Sequence, residues 1–190
     1  MKETILARQQ KWDQRYQNNA LQAQACSLLI DFHHYLPPSG LALDLACGLG
    51  GNAIFLSQRG FTVSAWDFSQ QAISRLEAIV KQQQLPITPK VIDVFENPPP
   101  ENSFDVIVVS YFLASSIFDP LKNALKPNGV LFYQSHNLDS PSHGGPKNSQ
   151  FLLKDNQLVE HFNGLTQLET FERPQHCPNK PGQSGIIVKN

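Results

Sequence analysis

The sequence predicts an α/β fold, a doubly wound and mostly parallel seven-stranded sheet with helices on both faces and an antiparallel last strand. Short apolar runs alternate along the chain with segments whose apolar residues recur at helical spacing. A glycine-rich turn follows the first run, and an aspartate lies at or near the carboxyl end of each of the first three runs. This arrangement is typical of an open sheet that binds a ligand at one edge.

Glycine and proline residues mark where the predicted elements begin and end. Two leading helices are expected at Lys2–Tyr16 and Leu21–Leu36, and Pro37-Pro38-Ser39-Gly40 stops the second. Further helices are expected at Asn52–Arg59, after the N-cap Ser69, near Phe112–Leu125 and near Asp155–Phe162. The expected strands are Leu41–Leu45, Phe61–Trp66, Thr88–Ile92, Phe104–Ser110, Val130–Gln134, Leu165–Glu172 and Gly185–Lys189.

Length and composition indicate a single domain. The 190 residues, 41% of them hydrophobic, suffice for one well-buried core and are too few for two ordinary domains. We expect residues 1–38 to form leading helices, 41–135 a ligand-binding core, and 136–190 the substrate-side loops and final strands.

Charge and cysteine content restrict the function classes. With 15 basic and 16 acidic residues and no basic run, the chain carries no strong nucleic-acid signal. No stretch is long and apolar enough for a membrane span, and no signal-like segment follows Met1, so we expect a cytoplasmic protein. We further expect the protein to be a monomer or a homodimer. The three cysteines include no Cys-x-x-Cys pair, and no metal is expected.

The turn after the first strand is built to approach a ligand closely. It runs Asp44-Leu45-Ala46-Cys47-Gly48-Leu49-Gly50-Gly51-Asn52 and leads from a strand into a helix. Glycines let the backbone approach a ligand, and the helix N-terminus offers unpaired N–H groups. By itself the pattern also fits a dinucleotide site.

Acids at the strand ends make this prediction more specific. Asp44, Asp67 and Asp93 would meet in one crevice, because ligands bind outside the carboxyl ends of the strands. Asp67 follows Asp44 by 23 residues, where an acid that accepts hydrogen bonds from ribose hydroxyls belongs. The alternative is that short polar residues simply end strands.

These motifs resemble those of class I S-adenosylmethionine-dependent methyltransferases, over about residues 11–188, with a Rossmann-like fold. The family's ribose acid matches Asp67, its adenine-side acid Asp93, and its Leu-Lys-Pro-x-Gly turn Leu125 to Gly129. Ala46 stands where the family most often has glycine. The resemblance implies S-adenosylmethionine as cofactor, S-adenosylhomocysteine as product, and a set of cofactor-binding residues: Trp12, Tyr16, Asp44, Ala46, Cys47, Gly48, Gly50, Asn52, Asp67, Phe68, Asp93, Val94, Phe95 and Ser110. Cys47 in such a loop is interpreted as a small packing residue rather than a nucleophile.

Within this family the chain resembles the small tellurite-resistance and thiol-methyltransferase-like group. The matching stretches are Trp12-Asp13-Gln14-Arg15-Tyr16, Trp66-Asp67 and Gly144-Gly145-Pro146-Lys147. The resemblance implies an enzyme that methylates a small molecule, such as a thiol or a chalcogen oxyanion, by proximity and desolvation. Three alternatives remain: a methyltransferase acting on RNA or protein, a nicotinamide-dependent oxidoreductase, and a non-catalytic adenosylmethionine-binding protein.

The catalytic residues are not identified by the sequence. A thiolate or reduced chalcogen needs positioning only, whereas a hydroxyl or amine acceptor would usually need a proton acceptor within hydrogen-bond reach. The substrate-side candidates are Tyr111 after the fourth strand, His136 after the fifth, and Arg173 and His176 in the loop between the final strands.

Overall fold

The computed structural model describes residues 5–17, 22–139, 145–173 and 182–190. The strands are β1 (Gly40–Leu45), β2 (Phe61–Asp67), β3 (Ile87–Val91), β4 (Phe104–Ser110), β5 (Leu125–His136), β6 (Thr166–Arg173) and β7 (Gln183–Lys189). The helices are α1 (Ile5–Tyr16), α2 (Ser27–Asp31), α3 (Gly51–Ser57), α4 (Gln70–Gln83), α5 (Phe118–Ala124) and α6 (Gln157–His161).

The seven strands form one sheet in the order β3-β2-β1-β4-β5-β7-β6. Strands β1 to β5 pair in parallel, and β7 runs antiparallel to both of its neighbours, β5 and β6. The predicted fold class is therefore confirmed. The order reverses between β1 and β4, and ligands of open α/β sheets bind at the carboxyl ends of the strands beside such a switch point.

Alternate residues of the central strands pack on opposite faces of the sheet. On one face, Leu43, Ile107 and Tyr133 pack with residues of α5 and α6. On the other face, Ala42, Val106 and Phe132 pack with residues of α2, α3 and α4. Helix α1 belongs to neither core layer and lies against α4.

The prediction of one helix over Leu21–Leu36 was wrong. The structure has a single helical turn, α2, followed by a 3₁₀ turn at His33–Tyr35, and residues 22–26 are not helical. A Cβ on Gly51 would collide with the carbonyl oxygen of Gln24, so this segment passes directly over the start of α3. Tertiary contact at this place overrides local helix propensity.

The helix predicted near Phe112–Leu125 is shorter than expected. Helix α5 begins at Phe118 after a 3₁₀ turn at Ser115–Ile117. The preceding carbonyl of Phe112 accepts a hydrogen bond of 2.6 Å from the buried Tyr133 hydroxyl, which holds this stretch outside a helix. Strand β5 is longer than predicted, because it begins at Leu125.

Candidate functional site

The loop after β1 adopts the backbone conformation that its glycines predict. Gly48 and Gly50 have φ angles of 53° and 78°, in the left-handed region that glycine enters without steric cost. Ala46 also lies there, with φ of 56°. A Cβ atom disfavours this conformation, so glycine, the family's usual residue here, would avoid backbone strain as well as leave more room for a ligand.

Asp44 lies beneath this loop and holds the start of α3. One carboxylate oxygen accepts a hydrogen bond of 3.0 Å from the Ala53 N–H, and the other accepts one of 3.1 Å from the Asn52 side chain. The carboxyl group is fully buried, and this burial raises its pKa to about 7. Asp44 therefore shapes the loop from below rather than from within the crevice.

Asn52 joins three separate parts of the chain. Its side-chain Nδ2 donates to Asp44 and also to Ser110 Oγ, at 2.9 Å, at the end of β4. Its Oδ1 accepts a hydrogen bond of 2.9 Å from the backbone N–H of Cys26, directly before α2. The side chain is almost fully buried, so these internal bonds account for its hydrogen-bonding groups.

Asp67 ends β2 and is held by backbone N–H groups. Its Oδ2 accepts a hydrogen bond of 2.7 Å from Gly48 N, and its Oδ1 accepts one of 2.8 Å from Ser69 N. Burial raises the pKa of this carboxyl group, against the opposing effect of these donors. The glycine loop and the end of β2 are thereby locked to each other.

The expected adenine-side residues follow β3. Asp93 Oδ1 accepts a hydrogen bond of 3.0 Å from Phe95 N, while Val94 is buried in the core. The guanidinium of Arg8, on α1, lies 5.6 Å from the ring centroid of Phe68 and 5.5 Å from that of Phe95. The same guanidinium lies 3.8 Å from Asp93 Oδ2.

Helix α1 is fastened across this edge of the sheet by polar contacts. Asp13 Oδ1 accepts hydrogen bonds from Ser69 Oγ at 2.5 Å and from Gln71 N at 3.2 Å, at the N-terminus of α4. Arg75 donates a hydrogen bond of 2.9 Å to the Tyr16 carbonyl.

The two aromatic residues of α1 that the resemblance assigns to the cofactor lie in different surroundings. The Tyr16 hydroxyl lies 2.8 Å from the position that a Cβ on Gly48 would take, and burial together with nearby Asp67 raises the Tyr16 pKa. Trp12 stacks on the Tyr16 ring with centroids 6.1 Å apart and is more than one third exposed.

Two of the substrate-side candidates come together at the carboxyl ends of β4 and β5. The rings of Tyr111 and His136 have centroids 5.1 Å apart. Burial lowers the pKa of His136, and the positive charge of Arg15 lowers it further. Arg173 is the last residue of β6, and His176 lies outside the described residues, as does Gly144.

Sequence reasoning missed two buried glutamines beneath Tyr111. Gln134 Nε2 donates a hydrogen bond of 2.7 Å to Gln183 Oε1, and both side chains contact the Tyr111 hydroxyl. The available signal was a polar residue inside the apolar run of β5, since Gln134 is completely buried. Gln183 lies before Gly185, the residue at which the sequence predicted the last strand to begin.

Neither described cysteine has the surroundings of a nucleophile. Cys47 is buried, and burial with the nearby carboxylates of Asp44 and Asp67 raises its pKa well above the ordinary value. Burial raises the pKa of Cys26 to about 12. Within residues 5–17, 22–139, 145–173 and 182–190, no group of three His, Cys, Asp or Glu side chains lies close enough together to hold a metal ion.

Comparison with known proteins agrees with this geometry. Residues 42–129 match the family described as "Methyltransferase domain". The chain is 35% identical over 158 residues to a protein of Haemophilus influenzae (strain 10810) named "Probable S-adenosyl-L-methionine-dependent methyltransferase TehB", covering 77% of this chain and 53% of that protein. This chain belongs to the class I S-adenosylmethionine-dependent methyltransferases. Within the family it resembles the TehB group, and membership implies S-adenosylmethionine as the cofactor.

Solved structures share the methyltransferase fold. The TehB structure from Haemophilus influenzae superposes with a TM-score of 0.72 at 21% identity, over 96% of this chain and 66% of that one. The [4+2]-cyclase SpnF superposes with a TM-score of 0.77 at 14% identity, over 98% and 96% of the two chains. At these identities the likeness concerns the fold alone.

The methyltransferase chain spans about half the length of the curated relatives it matches. Among its described residues, no helix has the length and apolar character needed to cross a bilayer.

Proposed function

We propose that this methyltransferase transfers a methyl group from S-adenosylmethionine to a small-molecule nucleophile, a thiol or a chalcogen oxyanion. The observation that carries the proposal is the pairing of Tyr111 and His136 at the carboxyl edge of the sheet. Ser110, next to Tyr111 in the chain, is hydrogen-bonded to Asn52 at the start of α3, so this pair lies close to the glycine loop. A nearly neutral chain without a basic run supports a small acceptor over a nucleic acid.

The cofactor residues in this proposal are those at the carboxyl ends of β1, β2 and β3. Each Asp67 oxygen accepts one backbone N–H and retains a lone pair that a ribose hydroxyl can use. Asp93 and Phe95, with Phe68 opposite, would hold the adenine ring. The Gly48 backbone would lie against the rest of the cofactor.

Helix α1 would form the outer wall of this site. Arg8 already contacts the rings of Phe68 and Phe95, and the Tyr16 hydroxyl lies where a side chain on Gly48 would be. Bound cofactor would therefore share these surfaces with α1, and we expect binding to slow amide hydrogen exchange in α1. Unchanged exchange in α1 on binding would argue against this role.

When bound, S-adenosylmethionine would supply an activated sulfonium methyl group; the acceptor lone pair would form the new bond to carbon, and the electron pair of the broken carbon–sulfur bond would stay on sulfur. The protein has to align the acceptor with that methyl group and exclude water. Because burial lowers the pKa of His136, its imidazole is neutral at pH 7 and able to accept a proton from a thiol acceptor.

A second function is the alternative to be tested. The fold is shared with a [4+2]-cyclase over almost the whole chain, at 14% identity. Because one fold can serve different reactions, binding of S-adenosylmethionine without methyl transfer is this second function.

Calorimetric titration with S-adenosylmethionine, S-adenosylhomocysteine and NADH in parallel tests the cofactor. We expect micromolar binding of the first two and none of NADH. Purified protein would then be assayed for methyl transfer to thiols, selenite and tellurite. Tight cofactor binding without turnover of any acceptor would favour the second function, and binding of NADH alone would contradict both.

A further inference from the structure

Two glutamines are buried between the neighbouring strands β5 and β7, below the proposed acceptor position. Gln134 is fully buried and Gln183 is 6% exposed. In the strand register His136 lies opposite Gln183 and Gln134 lies opposite Gly185, so the two glutamines lie diagonally across the strand pair. Burying an amide is costly unless its polar atoms are hydrogen-bonded, which makes their partners informative.

The orientation of both amides follows from one backbone donor. The Leu28 N–H, at the start of α2, lies 2.8 Å from Gln134 Oε1, and only an oxygen can accept from it. Gln134 Nε2 must then face the other way, and it donates to Gln183 Oε1 at 2.7 Å. This bond turns Gln183 Nε2 toward the Tyr111 hydroxyl oxygen, at 3.2 Å.

Toward both glutamines, the Tyr111 oxygen is a hydrogen-bond acceptor. It accepts from Gln183, and it shares the second hydrogen of Gln134 Nε2 with Ser27 Oγ, at 3.3 and 3.2 Å respectively. An amide nitrogen has no lone pair to offer, so the phenol hydrogen points away from both glutamines. Tyr111 is thereby prepared to donate a hydrogen bond rather than to take a proton.

The backbone of Tyr111 supports a constrained role for this side chain. Its φ angle is 58°, a left-handed conformation that is strained for a bulky residue and is found where the surroundings impose it. The Tyr111 N–H is fixed by a 2.9 Å hydrogen bond to the Gln134 carbonyl, and the side chain is 46% exposed at the end of β4. Gln134 therefore orients both the backbone and the hydroxyl of Tyr111.

We propose that Gln134 and Gln183 are positioning residues that direct the Tyr111 O–H toward an anionic oxygen of the methyl acceptor. The inference rests on the proposed function and narrows its acceptor class to nucleophiles that carry a carboxylate or another oxyanion beside the attacking atom. Tyr111 contacts the part of the acceptor that does not react. The proton of a thiol acceptor is left to His136 or to solvent.

Two thiols that differ in this group provide the kinetic test. Mercaptoacetate carries a carboxylate next to its thiol, whereas ethanethiol carries none. Tyr111→Phe should lower the ratio of kcat/KM for mercaptoacetate over ethanethiol about tenfold, mainly through KM, because a hydrogen bond to a charged group is lost. An unchanged ratio would overturn the proposal while leaving methyl transfer itself intact.

The glutamines are tested with a change that preserves shape and reverses hydrogen-bond direction. In Gln183→Glu the carboxylate accepts from Tyr111, which turns the phenol hydrogen inward, and the thiol ratio should fall as in Tyr111→Phe. The matched control is Gln167→Glu, the same substitution at an exposed position of β6, which should leave the ratio within twofold of wild type. Circular dichroism and thermal unfolding establish that each variant is folded.

An NMR measurement distinguishes a failure of this inference from a failure of the proposed function. The protein contains four tyrosines, so tyrosine labelled with ¹³C at Cζ gives few resonances, and Tyr111→Phe identifies the one of interest. That resonance should move in Gln183→Glu, stay in Gln167→Glu, and move when mercaptoacetate is added to protein saturated with S-adenosylhomocysteine. An unmoved resonance would overturn the positioning role even if both thiols are methylated. Absence of turnover with both thiols and with selenite and tellurite would contradict the proposed function, and the resonance would still decide the positioning.

Discussion

The carboxylates at the ends of β1, β2 and β3 accept hydrogen bonds mainly from backbone N–H groups. At the ends of β4 and β5, by contrast, neutral side chains contact one another. The first region, here the cofactor half, comprises the ends of β1, β2 and β3 with Asp44, Asp67 and Asp93. The second, the acceptor half, comprises Tyr111, Gln134, His136 and Gln183.

The two halves differ in how far their bonds reach along the chain. Asp67 binds residues 19 and 2 positions away, and Asp44 binds residues 8 and 9 positions away. Gln134 binds residues 106, 49 and 23 positions away. Backbone donors hold both oxygens of Asp67 and one oxygen of Asp44, so in the cofactor half only the Asn52 side chain is needed to hold these two carboxylates. Each member of the acceptor half depends on the side chains of the others.

The halves meet at residues 26–28. Cys26 N donates to Asn52 in the cofactor half, and Leu28 N donates to Gln134 in the acceptor half. A substitution at this junction should therefore alter the hydrogen bonds of both halves.

The largest effect is expected from Asn52→Ala. The change leaves Cys26 N–H, the Ser110 hydroxyl and one Asp44 oxygen without their partner in a buried place, and we expect the free energy of unfolding to fall by about 3 kcal/mol. Urea unfolding followed by circular dichroism measures it. Asn123→Ala, at an exposed position of α5, should cost less than about 0.5 kcal/mol. A loss below 1 kcal/mol for Asn52→Ala would mean that the halves are not joined there.

Asp67→Ala should weaken S-adenosylmethionine binding at least tenfold, about 1.4 kcal/mol, with the fold intact by circular dichroism. The reason is loss of the proposed ribose contact and of the acceptor that fixes Gly48 N. Calorimetric titration gives the affinity. Asp105→Ala is the control, because Asp105 binds Leu41 N and Lys126 at the opposite edge of the sheet and should change affinity less than twofold. Equal affinity of Asp67→Ala and wild type would remove Asp67 from the cofactor site.

Asp13→Ala should lower the free energy of unfolding by about 1 kcal/mol, because Asp13 supplies an acceptor at the N-terminus of α4. Amide hydrogen exchange in α1 should accelerate, since the same side chain fastens α1. For comparison, Asp119 pairs with Lys122 at an exposed helix start, and Asp119→Ala should change stability less. Unaltered exchange in α1 would show that Asp13 does not hold the helix.

The smallest effect concerns the pH dependence of stability in the acceptor half. The pKa of His136 is lower in the folded protein than in the unfolded chain, so its contribution is present above the unfolded pKa, about 6.5, and is lost as pH falls through the folded pKa. The stability of wild type relative to His136→Gln should therefore decrease as pH falls below about 6.5. Urea unfolding at a series of pH values measures the difference. If wild type instead became more stable relative to His136→Gln as pH falls, the argument that burial lowers the pKa of His136 would be wrong.

Much of the fold followed from local patterns, and the failures have a common cause. The strands and the helix after Ser69 are marked by apolar spacing and by the residues that end them, and these predictions were confirmed. The segment before α2 and the start of α5 could not be predicted in this way. Gln24 passes over Gly51, and the Phe112 carbonyl is bound by Tyr133, so contacts between distant residues decide their backbone.

For the candidate site, the roles assigned to individual residues remain predictions, while their places are now described. Asp67 and the glycine loop lie together as the spacing suggested. Asn52, expected at the cofactor, directs its side chain to Asp44, Ser110 and Cys26. No sequence pattern indicated that partner set, because an asparagine in a loop has the same local preferences whichever distant groups it binds.

The sequence by itself determined the family, the parallel sheet and the glycine loop, because these depend on short-range rules: apolar periodicity, glycine's access to positive φ, and acids at strand ends. Only the tertiary structure decided the direction in which the Tyr111 hydroxyl points. That direction is passed from Leu28 N–H through Gln134 and Gln183, which meet only after β5 and β7 have paired. A glutamine side chain can donate or accept equally well, so its role is undefined until the fold places a partner beside one of its two ends.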